Sequence, residues 1–234
     1  MRVKEALPLV GLAGAILAGC QTLGFRAADY HPRVDPADFE TKVDNPYYPL
    51  VPGTRVKLIE TLGRETTENE ITVTRETKTI MGVACVVVHD RVLENGVVRE
   101  DTFDWMAPDN RGNVWYFGEA TKEFKAGGRV STEGSWEAGV GGAQPGIIMP
   151  AQPKPGQPYY QEYSLGVAED IGQIVAVGES VTVPYGSFSG CVRTREWSLL
   201  ESGSEKKWYA PGVGLVRTES TAGEVAKLVS VTHE

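Results

Sequence analysis

Carboxylates interleave with aromatics between residues 101 and 137, where Asp101, Asp104, Trp105, Asp109, Asn113, Trp115, Tyr116, Glu119, Trp136 and Glu137 form the densest group of chemically able side chains. Indole faces stack on sugar rings while carboxylates take hydroxyl protons, and a pair of carboxyl groups can run glycosidic acid–base chemistry. Strand parity puts Phe103 and Trp105 on one face, Asp104 and Met106 on the other. An ordinary half-buried strand, with core aromatics and solvated acids, shows the same alternation, so both readings stay open. Asp104, Trp105, Trp115, Tyr116, Glu119, Trp136 and Glu137 are therefore candidate ligand-binding residues, and none is assigned as catalytic.

Asp109-x-Arg111-x-Asn113 resembles the start of a calcium loop, in which oxygens at alternate positions converge on a hard cation. Arg111 stands where an oxygen ligand should be and no glutamate occupies the twelfth position, so Asp109 and Asn113 form a weak metal candidate that reads better as a hairpin turn. His31, His89 and His233 are scattered without zinc-ligand spacing. Gly178-Glu179-Ser180-Val181-Thr182 lacks the last glycine of a nucleophile elbow. Gln144 breaks the dinucleotide pattern begun by Gly139 and Gly141, and no Gly-Lys-Ser/Thr occurs. No cofactor is expected.

The elements that would carry these residues read as strands. Val56 and Leu58 share one parity, as do Ile71 and Val73, and β-branched residues run through 71–74. Asn95-Gly96 between apolar runs is a two-residue hairpin signal. Further turns are expected at 109–113, 126–128, 201–204 and 222–223, and no capped helical stripe persists for about twelve residues. The fold class is all-β, an antiparallel meander forming a curved sheet or barrel. Pro52-Gly53, Met81-Gly82, Cys85-Val86 and Trp105-Met106-Ala107-Pro108 recur as Pro155-Gly156, Tyr185-Gly186, Cys191-Val192 and Trp208-Tyr209-Ala210-Pro211, at offsets of 103, 104, 106 and 103. Two internal repeats are expected, at about 50–135 and 153–234. Between them a Gly/Pro-rich crossover, about 139–156, holds Ile147, Ile148 and Met149, which would either cap the open end of a barrel or gate a ligand.

The strings Asn45-Pro46-Tyr47-Tyr48-Pro49-Leu50-Val51-Pro52-Gly53-Thr54, Gly112-Asn113-Val114-Trp115-Tyr116-Phe117-Gly118-Glu119, Gly134-Ser135-Trp136-Glu137-Ala138-Gly139, Pro145-Gly146-Ile147-Ile148-Met149-Pro150 and Tyr209-Ala210-Pro211-Gly212-Val213-Gly214-Leu215-Val216 resemble an uncharacterised bacterial family of exported, β-rich, lipoprotein-like proteins. The resemblance spans about residues 45–220 and implies an exported β fold. It brings no activity, cofactor or catalytic residue with it.

Export is also written at the N-terminus. Arg2 and Lys4 precede an apolar run from Leu7 to Leu17 that is short for a membrane span. The run ends in Leu17-Ala18-Gly19-Cys20, which resembles a lipobox, so residues 1–19 are expected to be cleaved and Cys20 lipidated. Two or three acyl chains hold a protein stably on a membrane. Gln21 rather than an acid next to Cys20 resembles outer-membrane sorting, which places the protein on the periplasmic side of that membrane if the source is Gram-negative. Residues 20–44 read as a flexible tether and 45–234 as one β domain. Net charge is −8, and loss of Arg2, Lys4 and Glu5 with the leader takes it to −9, which disfavours nucleic acid as a partner. The expectation is a membrane-anchored envelope lipoprotein, non-catalytic, holding an apolar or amphipathic ligand or an envelope partner. The alternative is a carboxylate-dependent glycan hydrolase or a carbohydrate-binding protein.

Overall fold

The computed structural model describes residues 30–39 and 45–234. The leader, Cys20 and the first part of the expected tether lie outside the described residues. Fifteen strands follow in chain order: β1 (Thr54–Leu62), β2 (Glu65–Ile80), β3 (Val83–Glu94), β4 (Val97–Pro108), β5 (Val114–Phe124), β6 (Val130–Ser131), β7 (Trp136–Glu137), β8 (Gln144–Met149), β9 (Tyr159–Tyr160), β10 (Glu162–Tyr163), β11 (Asp170–Val183), β12 (Gly186–Ser198), β13 (Glu205–Ala210), β14 (Gly214–Ser220) and β15 (Val225–His233). All pair antiparallel in one sheet, ordered β10-β8-β5-β4-β3-β2-β1-β15-β14-β13-β12-β11-β9, with β6 and β7 attached to β5.

The meander follows from its turns. Asn95 and Gly96 both take positive φ, 53° and 76°, and so do Met81 and Gly82, at 50° and 80°. Such turns match the right-handed twist of the strands they join. The two ends of the sheet come together through residues 159–163: Tyr159 and Tyr160 pair with β11, while Glu162 and Tyr163 pair with β8. The result is a nearly closed barrel whose seam is two short ladders. At Gly146 the chain passes so close to the Gln161 carbonyl that only a residue without Cβ fits.

Corresponding pairings occur in the two parts of the sheet. Val86 lies opposite Met106 and Val87 opposite Trp105; Val192 lies opposite Tyr209 and Arg193 opposite Trp208. The β4–β5 ladder breaks register after Trp105, and the β13–β14 ladder breaks it after Trp208. Phe117 and Val216 fall inside those two bulges and both are fully buried.

Two expectations need correction. Residues 30–39, read as tether, are docked: Phe39 packs edge-on against Trp115 and Phe117, and the Tyr30 hydroxyl donates to the Pro145 carbonyl at 2.9 Å. Aromatic burial there outweighs the chain entropy that a proline-rich composition suggested. The expected crossover loop contains β8, in which Met149 is fully buried and Ile147 lies opposite Trp115. Gly and Pro flank that strand, and its pairing with β5 supplies the order that composition concealed.

Candidate functional site

The inward faces of β3, β4 and β5 carry acids because alternation puts every second residue inside. Val88, Asp104 and Glu119 are aligned across the three strands, and Asp90, Thr102 and Thr121 form the next row. The interior grades along the strands from buried Val88 through half-buried Asp90 and Asp104 to exposed Glu100. Residues of both parts share this interior. The Tyr48 ring lies 6.2 Å from that of Tyr209, and the charges of Asp104, Lys207, Glu196 and Asp90 all act on the Tyr48 phenol, which burial above all pushes up.

The Tyr116 hydroxyl lies 2.5 Å from Asp104 Oδ1 and 3.0 Å from Glu119 Oε2. A phenol has one proton, so both contacts are hydrogen bonds only when one carboxyl is itself protonated. Glu119 is that one: burial, then the Asp104 charge, push it up to about 8, while burial lifts Asp104 only to about 6. Burial and the Asp104 charge likewise push Asp90 up to about 8, against a hydrogen bond from Asn69. At the seam, Glu162 accepts the Trp136 indole N–H at 3.0 Å. Burial, then Asp170 and Glu119, hold Glu162 far above the usual carboxylate range. These carboxyls are deep yet half-exposed, the signature of an interior that solvent reaches.

On the opposite wall the charge is balanced. Lys207 Nζ lies 2.9 Å from Glu196 Oε2 and 3.4 Å from Glu205. Thr194 and Tyr209 hydroxyls both donate to Glu196 Oε1, at 2.6 and 3.1 Å. Burial works against ionisation of Glu196, but the Lys207 ammonium and these donors hold its carboxyl below the ordinary range.

The sequence candidates divide between the two faces of the wall. Asp104, Tyr116, Glu119 and Trp136 come together inside, with the Tyr116 and Trp136 rings edge-to-face at 5.6 Å. Trp105 and Glu137 lie elsewhere, joined by Lys78, whose ammonium sits 3.2 Å over the Trp105 ring and 2.7 Å from Glu137. Asp101 pairs with His89 at 2.6 Å. Trp115 donates its indole N–H to Asp109 at 2.9 Å. Asp109 also accepts from the Arg111 and Asn113 amides and the Asn113 side chain, so its oxygens hold a turn together. Among the described residues no three His, Cys, Asp or Glu side chains converge as metal ligands. Ile147, Ile148 and Met149 belong to β8 and form part of the wall.

Sequence reasoning missed Asp90, Glu162, Asp170, Glu196 and Lys207. Asp90 and Glu196 could have been found, since each continues the inward parity of an apolar run. Glu162 sits in a two-residue strand with no periodic signal.

No protein-family model and no curated protein matches the chain. Among solved structures, the chain is similar to a Bacteroides fragilis protein described as exported with a YmcC-like fold, at 17% identity and a TM-score of 0.48, covering 79% of this chain and 98% of that one. It is also similar to a Parabacteroides distasonis protein described as a lipoprotein, at 14% identity and a TM-score of 0.44, covering 80% and 98% respectively.

Proposed function

We propose that this is a lipid-anchored protein of the cell envelope, held through Cys20, that binds a small polar ligand in its carboxyl-lined interior without turning it over. The leader and the Leu17-Ala18-Gly19-Cys20 string support the anchor, and Gln21 supports the outer membrane. The observation that carries the binding reading is the inner wall itself, where Asp90, Asp104, Glu119 and Glu162 are deep and half-exposed. That lining favours a polar, cation-bearing ligand over an apolar one, because burying a hydrocarbon against carboxyls desolvates them without compensation. Glycoside hydrolysis is the weaker reading. It needs the scissile oxygen between its two carboxyls, and here the Tyr116 hydroxyl fills the space between Asp104 and Glu119.

The recurrent pairings support a further part of this reading: β2–β5 and β11–β14 are two copies of one four-stranded unit. Equal register, and equal bulges after Trp105 and Trp208, are what duplication leaves when the intervening residues diverge.

Labelled palmitate tests the anchor, and the expected result is incorporation in the wild type and none in Cys20→Ser. Native mass spectrometry of detergent-extracted protein tests binding. A retained small-molecule mass that Asp104→Asn loses supports it; apo protein from every lysate and buffer tried refutes it.

A further inference from the structure

Because the sheet is an antiparallel meander, its turns fall at two ends. Residues 62–65, 94–97, 124–130, 164–168, 199–204 and 221–224 turn at one end; residues 81–82, 109–113, 184–185 and 211–213 turn at the other. Neighbouring turns of the first end are tied into a rim, since the Leu199 amide donates to the Glu169 carbonyl and the Thr221 amide to the Ser204 carbonyl, both at 2.9 Å. Turn residues are ordinarily polar. This rim instead exposes Leu62, Val97, Val130, Leu165, Leu199 and Leu200, with Leu165 71% and Val97 and Val130 each 54% exposed. A single apolar side chain on a surface needs no explanation, but their gathering on one rim does.

The opposite end is covered by the chain's own N-terminal segment. Pro36 lies against Gly82, Phe39 bridges to Asp109, Asn45 donates to the Gly112 and Pro150 carbonyls, and the Pro46 carbonyl accepts from Gly212. From those turns the segment runs back to the seam, where the Tyr30 ring lies 4.6 Å from that of Tyr160 and 5.4 Å from that of Tyr163. Tyr163 leads directly into the 164–168 turn. The path from Phe39 to Tyr30 thus leaves the covered end and heads for the apolar rim, and Cys20 lies ten residues further back. Ten residues span at most about 35 Å. A bilayer holding the acyl chains of Cys20 therefore stays within that distance of Tyr30, and tethering of this kind populates a contact too weak to form between free partners.

We propose that the apolar rim rests on the phospholipid bilayer that carries the Cys20 anchor, with the contact deepest at residues 164–168 and 199–200, nearest the tether. The inference rests on the anchor proposed above and adds the protein surface that meets the lipid. Leu165, Leu199 and Leu200 enter the headgroup region to a depth of about 5–10 Å. Arg64 and Arg129 stand on the rim with Glu65 and Glu201, all exposed. The contact is therefore apolar insertion, and salt does not screen it away.

The test uses the mature lipidated protein in vesicles of phosphatidylethanolamine and phosphatidylglycerol, prepared with and without acyl chains brominated near the headgroup. Cys85 and Cys191 are buried, so a polarity-sensitive dye on Leu165→Cys or Leu199→Cys reports that position alone. Brominated lipid should lower its emission at least about twofold, in low and high salt alike. The same dye on Tyr185→Cys, exposed at the opposite end, should not respond. Leu165→Glu combined with Leu200→Glu, two exposed positions that the fold does not need apolar, should relieve the quenching of a dye on Leu199→Cys. No quenching at Leu165 and Leu199, or equal quenching at Tyr185, in protein that has incorporated labelled palmitate overturns the proposal and leaves the anchor standing. Absence of palmitate removes both. In Cys20→Ser protein without vesicles the Leu165 dye should report water; a dimer that shields it would assign the rim to a second copy and overturn the bilayer contact.

Discussion

Cys85, opposite Lys78, and Cys191, opposite Glu179, are each fully buried and lie in separate hydrophobic clusters. Both are free thiols. Burial pushes the Cys85 thiol up to about 12, which leaves almost no thiolate to react. In a Cys20→Ser background, a thiol reagent should therefore label neither residue in the folded protein and both after denaturation. A denatured count below two would mean that they are bridged.

Stability should fall as pH rises from mildly acidic to alkaline. Asp104, Asp90 and Glu119 bind protons more tightly folded than unfolded, with values raised to about 6, 8 and 8 from ordinary carboxyl values near 4. Between those limits the folded state holds more protons, so the slope of stability against pH is negative there. Glu196, held low by Lys207 despite its burial, acts oppositely and loses its contribution as pH falls below the ordinary carboxyl range. Denaturation midpoints measured from about pH 4.5 to 9 should peak on the acidic side, and Glu119→Gln should flatten the alkaline limb. A midpoint that is level or climbing between about pH 6 and 8.5 would contradict this.

Gly146→Ala should open the seam. Its Cβ would overlap the carbonyl oxygens of Gln161 and Tyr160, backbone atoms that cannot swing aside. The expected loss is about 3 kcal/mol, accompanied by faster amide exchange in residues 159–163. Gly156→Ala is the control, since its nearest neighbour is 3.6 Å from the added carbon and it should change little.

Trp136→Phe keeps the ring against Tyr116 but removes the N–H that Glu162 accepts. Leaving that buried carboxyl without its donor should cost about 1–2 kcal/mol. The loss should grow toward alkaline pH, where Glu162, held far above the usual carboxylate range, begins to give up its proton and the charged acceptor most needs the donor. An equal loss at all pH values would show that only packing had changed.

Much of the wall was legible from sequence. Alternation separated Asp104 from Trp105 and Asn95-Gly96 named its own turn, because each is a local property of backbone geometry. The acids and aromatics of residues 101–137 divide between the two faces of the wall. Parity sends neighbours in the chain to opposite faces, so Trp105 and Glu137 left with Lys78 while Asp104 and Glu119 stayed inside.

Composition and alternation by themselves determined that this chain forms an antiparallel sheet, and where most of its strands turn. They could not determine that the sheet closes, because closure depends on two short ladders at residues 159–163 that have no period to read. Nor could they bring Glu162 to Trp136 or set Lys207 across the interior from Asp90. Those approaches join residues far apart in the chain, and only the curvature of the finished barrel, with the desolvation it imposes, decided which acids hold a proton.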